Sequence, residues 1–175
     1  MTNFNEFLKN FKKTTENRWS TANLDSSKRS YQIQPGTVWL QGHSDAEIKK
    51  ILEILNLENQ KVDLYLIQLL KFTKGLDLPQ INLNSPDSQD RYIQNWKLNI
   101  DFVTNKFSNH ISEAKLNGEY NELNKLVGSK FTFIPIYAHR SIVMTNESTK
   151  VYSIYGSDIV LYGDDIQTYL TREFL

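Results

Sequence analysis

The chain has 175 residues, of which 39% are hydrophobic and 23% charged, a composition typical of one globular domain with its own core. Seven glycines and four prolines are too few for a collagen-like or disordered chain, and the absence of cysteine excludes disulfides, thiolate zinc sites and cysteine nucleophiles. Twenty basic residues balance twenty acidic ones, so the chain lacks the basic excess with which proteins usually bind a nucleic-acid backbone. We therefore expect no nucleic-acid partner.

The first segment predicts an amphipathic helix. Phe4, Phe7, Leu8 and Phe11 recur at helical spacing, with lysines between them. Such a stripe could lie on a membrane surface or pack on the body of the domain. We favour packing, because the stripe is short and Glu6 dilutes its charge. A polar N-terminus and the lack of a long apolar run predict no signal peptide, no membrane span and a cytoplasmic protein without a membrane partner.

A polar connection follows the first helix and ends at residue 36, so we divide the chain into residues 1–36 and an α+β domain over residues 37–175. Residues 37–40 predict a short strand or an entry segment. Ser44 and Glu47 have the spacing of a capping box that begins a helix with Ile48, Ile51, Leu52 and Leu55 on its buried face. Residues 64–72 predict a second, more deeply buried helix, and Gly75 stands where a left-handed cap would end it.

The middle of the chain is less regular. Residues 76–90 predict a loop with at most one short strand, and Tyr92, Ile93 and Trp96 return to a helical period. A further helix is expected at about residues 108–127, where Gly118 could divide it.

The final third changes to a β-rich pattern. Strands are predicted at residues 131–137, 141–145, 151–155 and 159–162, with turn residues between them. A short helix from Ile166 to Phe174 closes the chain behind the acidic pair Asp164 and Asp165, which could bind a cation but more simply caps that helix. Helices followed by a meander of strands predict a single α+β domain.

No constellation of residues identifies a catalytic or metal site. The histidines at positions 43, 110 and 139 lack metal-ligand spacing, and phosphate-loop and nucleophile-elbow motifs are absent. His139, Arg140 and Asp158 have two interpretations: an Arg–Asp pair that fixes a loop, or a His/Asp pair for acid–base chemistry. We favour the structural interpretation. We expect that the protein is not an enzyme and that it binds no cofactor and no metal.

The C-terminal pattern resembles the SUKH superfamily, which includes fungal regulators of cell-wall glucan synthesis and many bacterial proteins. Its motifs are similar to residues 133–140, 151–163 and 165–174, and Trp39, Gly42 and the helix start at Ser44 are similar to the family's opening motif. Lys74 and Gly75 stand where the family often has Asn-Gly. The Leu-Pro that commonly opens the second helix is missing, since Gln-Lys-Val occupies residues 60–62.

The resemblance implies a mainly antiparallel sheet flanked by helices and a non-enzymatic protein that binds and blocks a cognate bacterial toxin. The alternative is an intracellular regulatory scaffold, as in the fungal relatives. The residues expected to be structural are Trp39, Gly42, Gly75, Pro135, His139, Arg140, Gly156, Asp158, Tyr162 and Gly163.

Specific roles follow from the same resemblance. Pro135 would fix a strand entry, Gly156 and Gly163 would allow tight turns, and Arg140 would tie the sheet to Asp158. A region that recognises diverse toxins would vary most, so Tyr92 and Trp96, in the poorly matching residues 76–118, are candidates for partner binding. Immunity proteins against nucleases are often acidic; a neutral chain suggests a partner that is not strongly basic, or an interface of aromatic anchors. The sequence leaves the oligomeric state open.

Overall fold

The computed structural model describes residues 3–28, 30–57, 62–83, 93–94, 96–98, 101, 118–128, 130–137, 139–155 and 158–175. Within them the helices are α1 (Phe4–Ser20), α2 (Asp45–Ile54), α3 (Leu64–Phe72), α4 (Glu119–Val127) and α5 (Ile166–Phe174). The strands are β1 (Gln80–Ile81), β2 (Ile93–Gln94), β3 (Thr132–Tyr137), β4 (Arg140–Met144), β5 (Thr149–Tyr155) and β6 (Asp158–Gly163). The predicted α+β class is confirmed.

Strands β3 to β6 form an antiparallel meander in the order β3-β4-β5-β6. Alternate residues of β4 point to opposite faces: Ile142 and Met144 belong to the main core, whereas Val143 packs with Leu123 of α4. The main core is completed by residues of α1, α2, α3 and α5. The sheet therefore lies between these four helices on one face and α4 on the other.

The N-terminal helix packs into the main core, as the sequence predicts. Its buried residues are Phe4, Leu8, Phe11, Thr15 and Trp19, a stripe that repeats at helical spacing. Of the described helices, none combines the length and apolar character that crossing a membrane requires.

The capping box of α2 is also present. The Ser44 hydroxyl accepts from the Glu47 amide at 3.3 Å, and the Glu47 carboxylate accepts from the Ser44 amide at 2.8 Å. Two of the free amides at the helix start are thereby satisfied.

Trp39 lies at the centre of the main core. Its indole Nε1 donates to the Thr15 hydroxyl at 2.8 Å, and its ring is 2% exposed. Five aromatic rings lie with their centroids 5.1 to 5.5 Å from it: Phe11, Trp19, Phe72, Trp96 and Phe174. Elements distant in sequence thus meet on one side chain.

The helix predicted around Tyr92, Ile93 and Trp96 is wrong over its described part. Ile93 and Gln94 form β2, which pairs with β1, and Trp96 and Leu98 are buried on either side of a less buried Lys97. Burial at every second residue is typical of an extended chain. The segment is therefore extended although its apolar residues have a helical spacing. Tyr92 lies outside the described residues, as do residues 108–117 of the next predicted helix; α4 begins at Glu119, directly after Gly118.

The expected left-handed cap at Gly75 is not formed. Helix α3 ends with Thr73 in an extended conformation, and Gly75 has a φ of +131°. A Cβ at Gly75 would overlap the Trp96 carbonyl, which accepts from the Leu76 amide at 3.0 Å. Glycine is needed here because another segment of backbone comes so close.

Pro135 lies inside β3 rather than at its entry. It pairs with Ser141, and the register shifts between Pro135 and Tyr137. Proline cannot donate a ladder hydrogen bond, and β3 is an outer strand of the described sheet, where that loss is tolerated.

We predict that Gly42→Ala lowers the free energy of unfolding by about 1–3 kcal/mol, the usual cost of overpacking. A Cβ at this position would overlap the Lys71 carbonyl at the end of α3, so the backbone has to move. Urea unfolding measures the effect. The exposed neighbour Gln41→Ala should stay within about 0.5 kcal/mol of the wild type; equal stability of both variants would contradict the close approach.

Candidate functional site

Arg140 connects three strands and the last helix. From the start of β4 its Nη1 donates to the Ser153 hydroxyl of β5 at 3.0 Å, and its guanidinium carbon lies 3.9 Å from the centroid of the Tyr162 ring on β6. Its Nε lies 3.5 Å from Oε2 of Glu173 on α5, and the two side chains are only 16% and 13% exposed. This group, the Arg140 cluster, fixes α5 against the sheet.

Glu173 is the member of the Arg140 cluster that the sequence did not identify. Burial raises the pKa of its carboxyl, while the charge of Arg140 and a hydrogen bond from Tyr162 oppose that rise. Tyr162 also contacts the guanidinium of Arg172, whose carbon lies 4.2 Å from the ring centroid. Since Arg140 and Glu173 are 33 positions apart in the printed sequence, no local pattern joins them.

The structure corrects the expected tie between Arg140 and Asp158. Asp158 pairs with Tyr155 at the end of the β5–β6 hairpin, whereas Arg140 is level with Ser153, further along β5. The carboxylate that faces Arg140 is therefore Glu173.

His139 is exposed, with its ring centroid 6.1 Å from that of Tyr155. Partial desolvation and Arg140 lower the pKa of His139 more than Asp158 raises it. The guanidinium of Arg140 is already occupied by Ser153 and Glu173.

Of the two glycines expected to allow tight turns, one can be placed and the other cannot. Gly163 ends β6 without an unusual φ, and a Cβ there would lie 2.9 Å from the Tyr169 amide nitrogen. Its role is close packing of α5, not the tight turn that was expected. Gly156 lies outside the described residues.

Trp96 is a core residue. It is 0% exposed, and its Nε1 donates to the Tyr169 hydroxyl at 2.8 Å. Burial raises the pKa of Tyr169 well above its usual range, which keeps that hydroxyl neutral. This placement argues against direct contact between Trp96 and a partner.

A cleft of about 500 Å³ lies between residues 40–44, the start of α2 and the end of α3. His43 is buried beside it, with Nε2 2.8 Å from the Leu98 carbonyl oxygen. A carbonyl only accepts, so Nε2 carries the proton and Nδ1 of the neutral ring has a free lone pair. Glu47 lies 4.0 Å from Nδ1 and is bound by Lys74 at 2.6 Å.

Lys74 and Glu47 shift the pKa of His43 in opposite directions in this cleft. Lys74, together with the Ser44 hydrogen bonds, lowers the pKa of Glu47 to about 2. Burial lowers the pKa of His43, and Lys74 adds to this, whereas the Leu98 hydrogen bond and Glu47 raise it. His43 is therefore neutral at neutral pH. The only sequence signal for this group was the four-residue spacing of His43 and Glu47.

Among the described residues of the sheet, the large apolar side chains that are exposed lie on its last hairpin. Tyr155 is 76% exposed, Val160 48% and Leu161 40%. We call the outer side of Asp158–Gly163 the β6 edge. In the part of the chain that the structure describes, no strand pairs with it on that side.

Among the described residues, no group of three or more potential metal-ligating side chains lies together. Comparison of the chain with family models, with curated proteins and with solved structures gave no match.

We predict that Arg140→Met costs about 3–5 kcal/mol at neutral pH, because it leaves the Glu173 carboxylate buried without its counter-charge. A carboxyl whose folded pKa is raised destabilises the folded state in full above that pKa, and the destabilisation disappears as pH falls towards the lower pKa of the unfolded state. The deficit should therefore shrink as pH falls through the raised pKa of Glu173. Chemical unfolding at several pH values measures it.

The matched control for that experiment is the double variant Arg140→Met, Glu173→Gln. It has no carboxylate at position 173 to titrate, so its deficit should be smaller at neutral pH and should not shrink as pH falls. A deficit of the single variant that does not change with pH would contradict the role of Glu173.

We predict that His43 titrates below the ordinary value of 6.5 in an NMR titration of the imidazole signals. Glu47→Gln should lower this pKa further, because it removes an attractive negative charge, and Lys74→Met should raise it. His43→Asn assigns the resonance, and the His139 signal serves as the internal control. Shifts of the same sign in both variants would contradict the arrangement.

Proposed function

We propose that this chain is a non-enzymatic protein-binding domain, and that in a bacterial cell it acts as an immunity protein that neutralises a cognate toxin. The resemblance to the SUKH superfamily supports the class of partner. The α+β fold with a meander of four antiparallel strands is compatible with that resemblance.

The observation that carries the proposal is the contrast between buried and exposed residues of the C-terminal motif. The charged and aromatic residues of the C-terminal motif, Arg140 and Tyr162, are used for contacts inside the molecule. Tyr155, Val160 and Leu161 instead expose apolar surface beside them. Aromatic and aliphatic side chains on an open edge suit binding of a protein better than they suit chemistry on a small substrate.

An acid–base role for His139 finds less support. Such chemistry needs a pocket and a partner group within hydrogen-bond reach. His139 lies exposed beside Tyr155, and its neighbour Arg140 is held by Ser153 and Glu173.

We expect a one-to-one complex when this protein is co-expressed with the product of the neighbouring gene and purified on a tag. Light scattering after size exclusion gives the stoichiometry, and survival of cells that express the toxin gives the activity. The same complex should form with Leu126→Lys, a change at an exposed position of α4. Failure of both complex formation and protection would overturn the proposal, and several stable partners that are not toxins would favour a regulatory scaffold.

A further inference from the structure

The two outer strands of the described sheet differ in how well they are protected from further pairing. Strand β3 contains Pro135, which lacks an amide hydrogen, and a bulge next to it. Both features are common devices against edge-to-edge association. The Ile134 and Ile136 side chains on β3 are buried.

Strand β6 contains no proline, and its one register irregularity lies near its end, between Leu161 and Gly163. Residues 159–162 read Ile-Val-Leu-Tyr, with no proline and no lysine. Val160 and Leu161 are adjacent, so they point to opposite faces of the sheet, and both are partly exposed. A strand added here would bury apolar surface on both faces.

Part of the β6 backbone points away from β5. In an antiparallel ladder, successive residues alternate between bonding one neighbour and the other, so about half of the amides and carbonyls of an outer strand face outward. At the far end, Arg172 donates to the Tyr162 carbonyl at 3.2 Å. The open part of the β6 edge is therefore centred on Val160 and Leu161.

Acidic side chains lie at both ends of this apolar stretch. Asp158 begins β6 and Asp164 follows it, and both are exposed. Six positions along the chain separate them, at most about 20 Å at 3.3 Å per residue of extended chain. A partner segment with basic residues at a similar spacing complements this pattern, and an acidic segment is repelled by it.

We propose that the β6 edge is the docking strand of this protein, and that it takes an extended segment of the partner, apolar in the middle and basic at both ends, as an added strand. The segment pairs through its backbone with β6, places apolar side chains beside Val160 and Leu161, and directs its basic ends to Asp158 and Asp164. This inference rests on the proposed protein-binding function and names the surface that it uses.

The first experiment needs no identified partner. The probe is the blocked peptide Lys-Thr-Val-Ile-Val-Thr-Lys, and its control is the same peptide with glutamate at both ends. We expect the basic peptide to slow hydrogen exchange of β6 amides in the full chain and to bind about tenfold more tightly than the acidic one. Equal effects of both peptides, or none, would overturn the proposal.

Variants of the full chain test the same contacts. Val160→Lys and Leu161→Lys place charge on the edge and should each weaken peptide binding about tenfold, as central contacts do. Asp158→Asn combined with Asp164→Asn should remove the preference for the basic peptide. Leu126→Lys is the matched control, and unchanged melting temperatures show that the fold is kept. If the wild type is a dimer and Leu161→Lys dissociates it, the proposed partner segment is wrong. A second copy of this chain would then occupy the β6 edge.

The complex with the co-expressed toxin separates this inference from the function on which it rests. If the wild type forms the complex and Val160→Lys and Leu161→Lys form it equally well, the docking strand is wrong and the binding function stands. If the wild type forms no complex and gives no protection, the proposed function is wrong. The peptide experiment then shows independently whether β6 binds an extended segment.

Discussion

The fold depends on the burial of one indole ring. Trp39 belongs to no long helix or strand, yet it contacts aromatic rings from α1, α3 and α5 and the ring of Trp96. Aromatic pairs with tilted or edge-on rings add to the hydrophobic stabilisation of such a cluster. Removing these rings from water brings together segments that start more than 130 positions apart in the printed sequence, and this fixes where α5 lies.

The position of α5 determines which carboxylate lies beside Arg140 on the sheet. Phe174 packs against Trp39, so the preceding residue, Glu173, is placed beside Arg140. A buried ion pair contributes little net stability, because desolvation offsets the attraction, but the loss of one partner is costly. The pair therefore specifies one arrangement of α5 on the sheet more than it stabilises that arrangement. The contact of Arg140 with the Tyr162 ring extends the same constraint to β6.

Local features could be predicted from the sequence, and non-local contacts could not. The α1 stripe, the capping box of Ser44 and Glu47, and the four strands of the meander each follow from the spacing of nearby residues. Gly75 and Trp96 were misjudged, because their conformations depend on each other's backbone and not on their neighbours in sequence. The same limit applies to the candidate site: the motif residues were identified, but Glu173 was not.

The net charge of zero for the whole chain does not describe the electrostatic field at the β6 edge. Twenty basic and twenty acidic residues cancel over the whole chain, but at physiological ionic strength a charge acts over only about 8 Å. The carboxylates of Asp158 and Asp164 lie exposed at the two ends of that edge, and the exposed Arg172 contacts Tyr162 at the far end. The expectation that a neutral chain has no strongly basic partner rests on the charge averaged over the whole chain. The binding of a partner segment to β6 depends instead on the charges close to that strand.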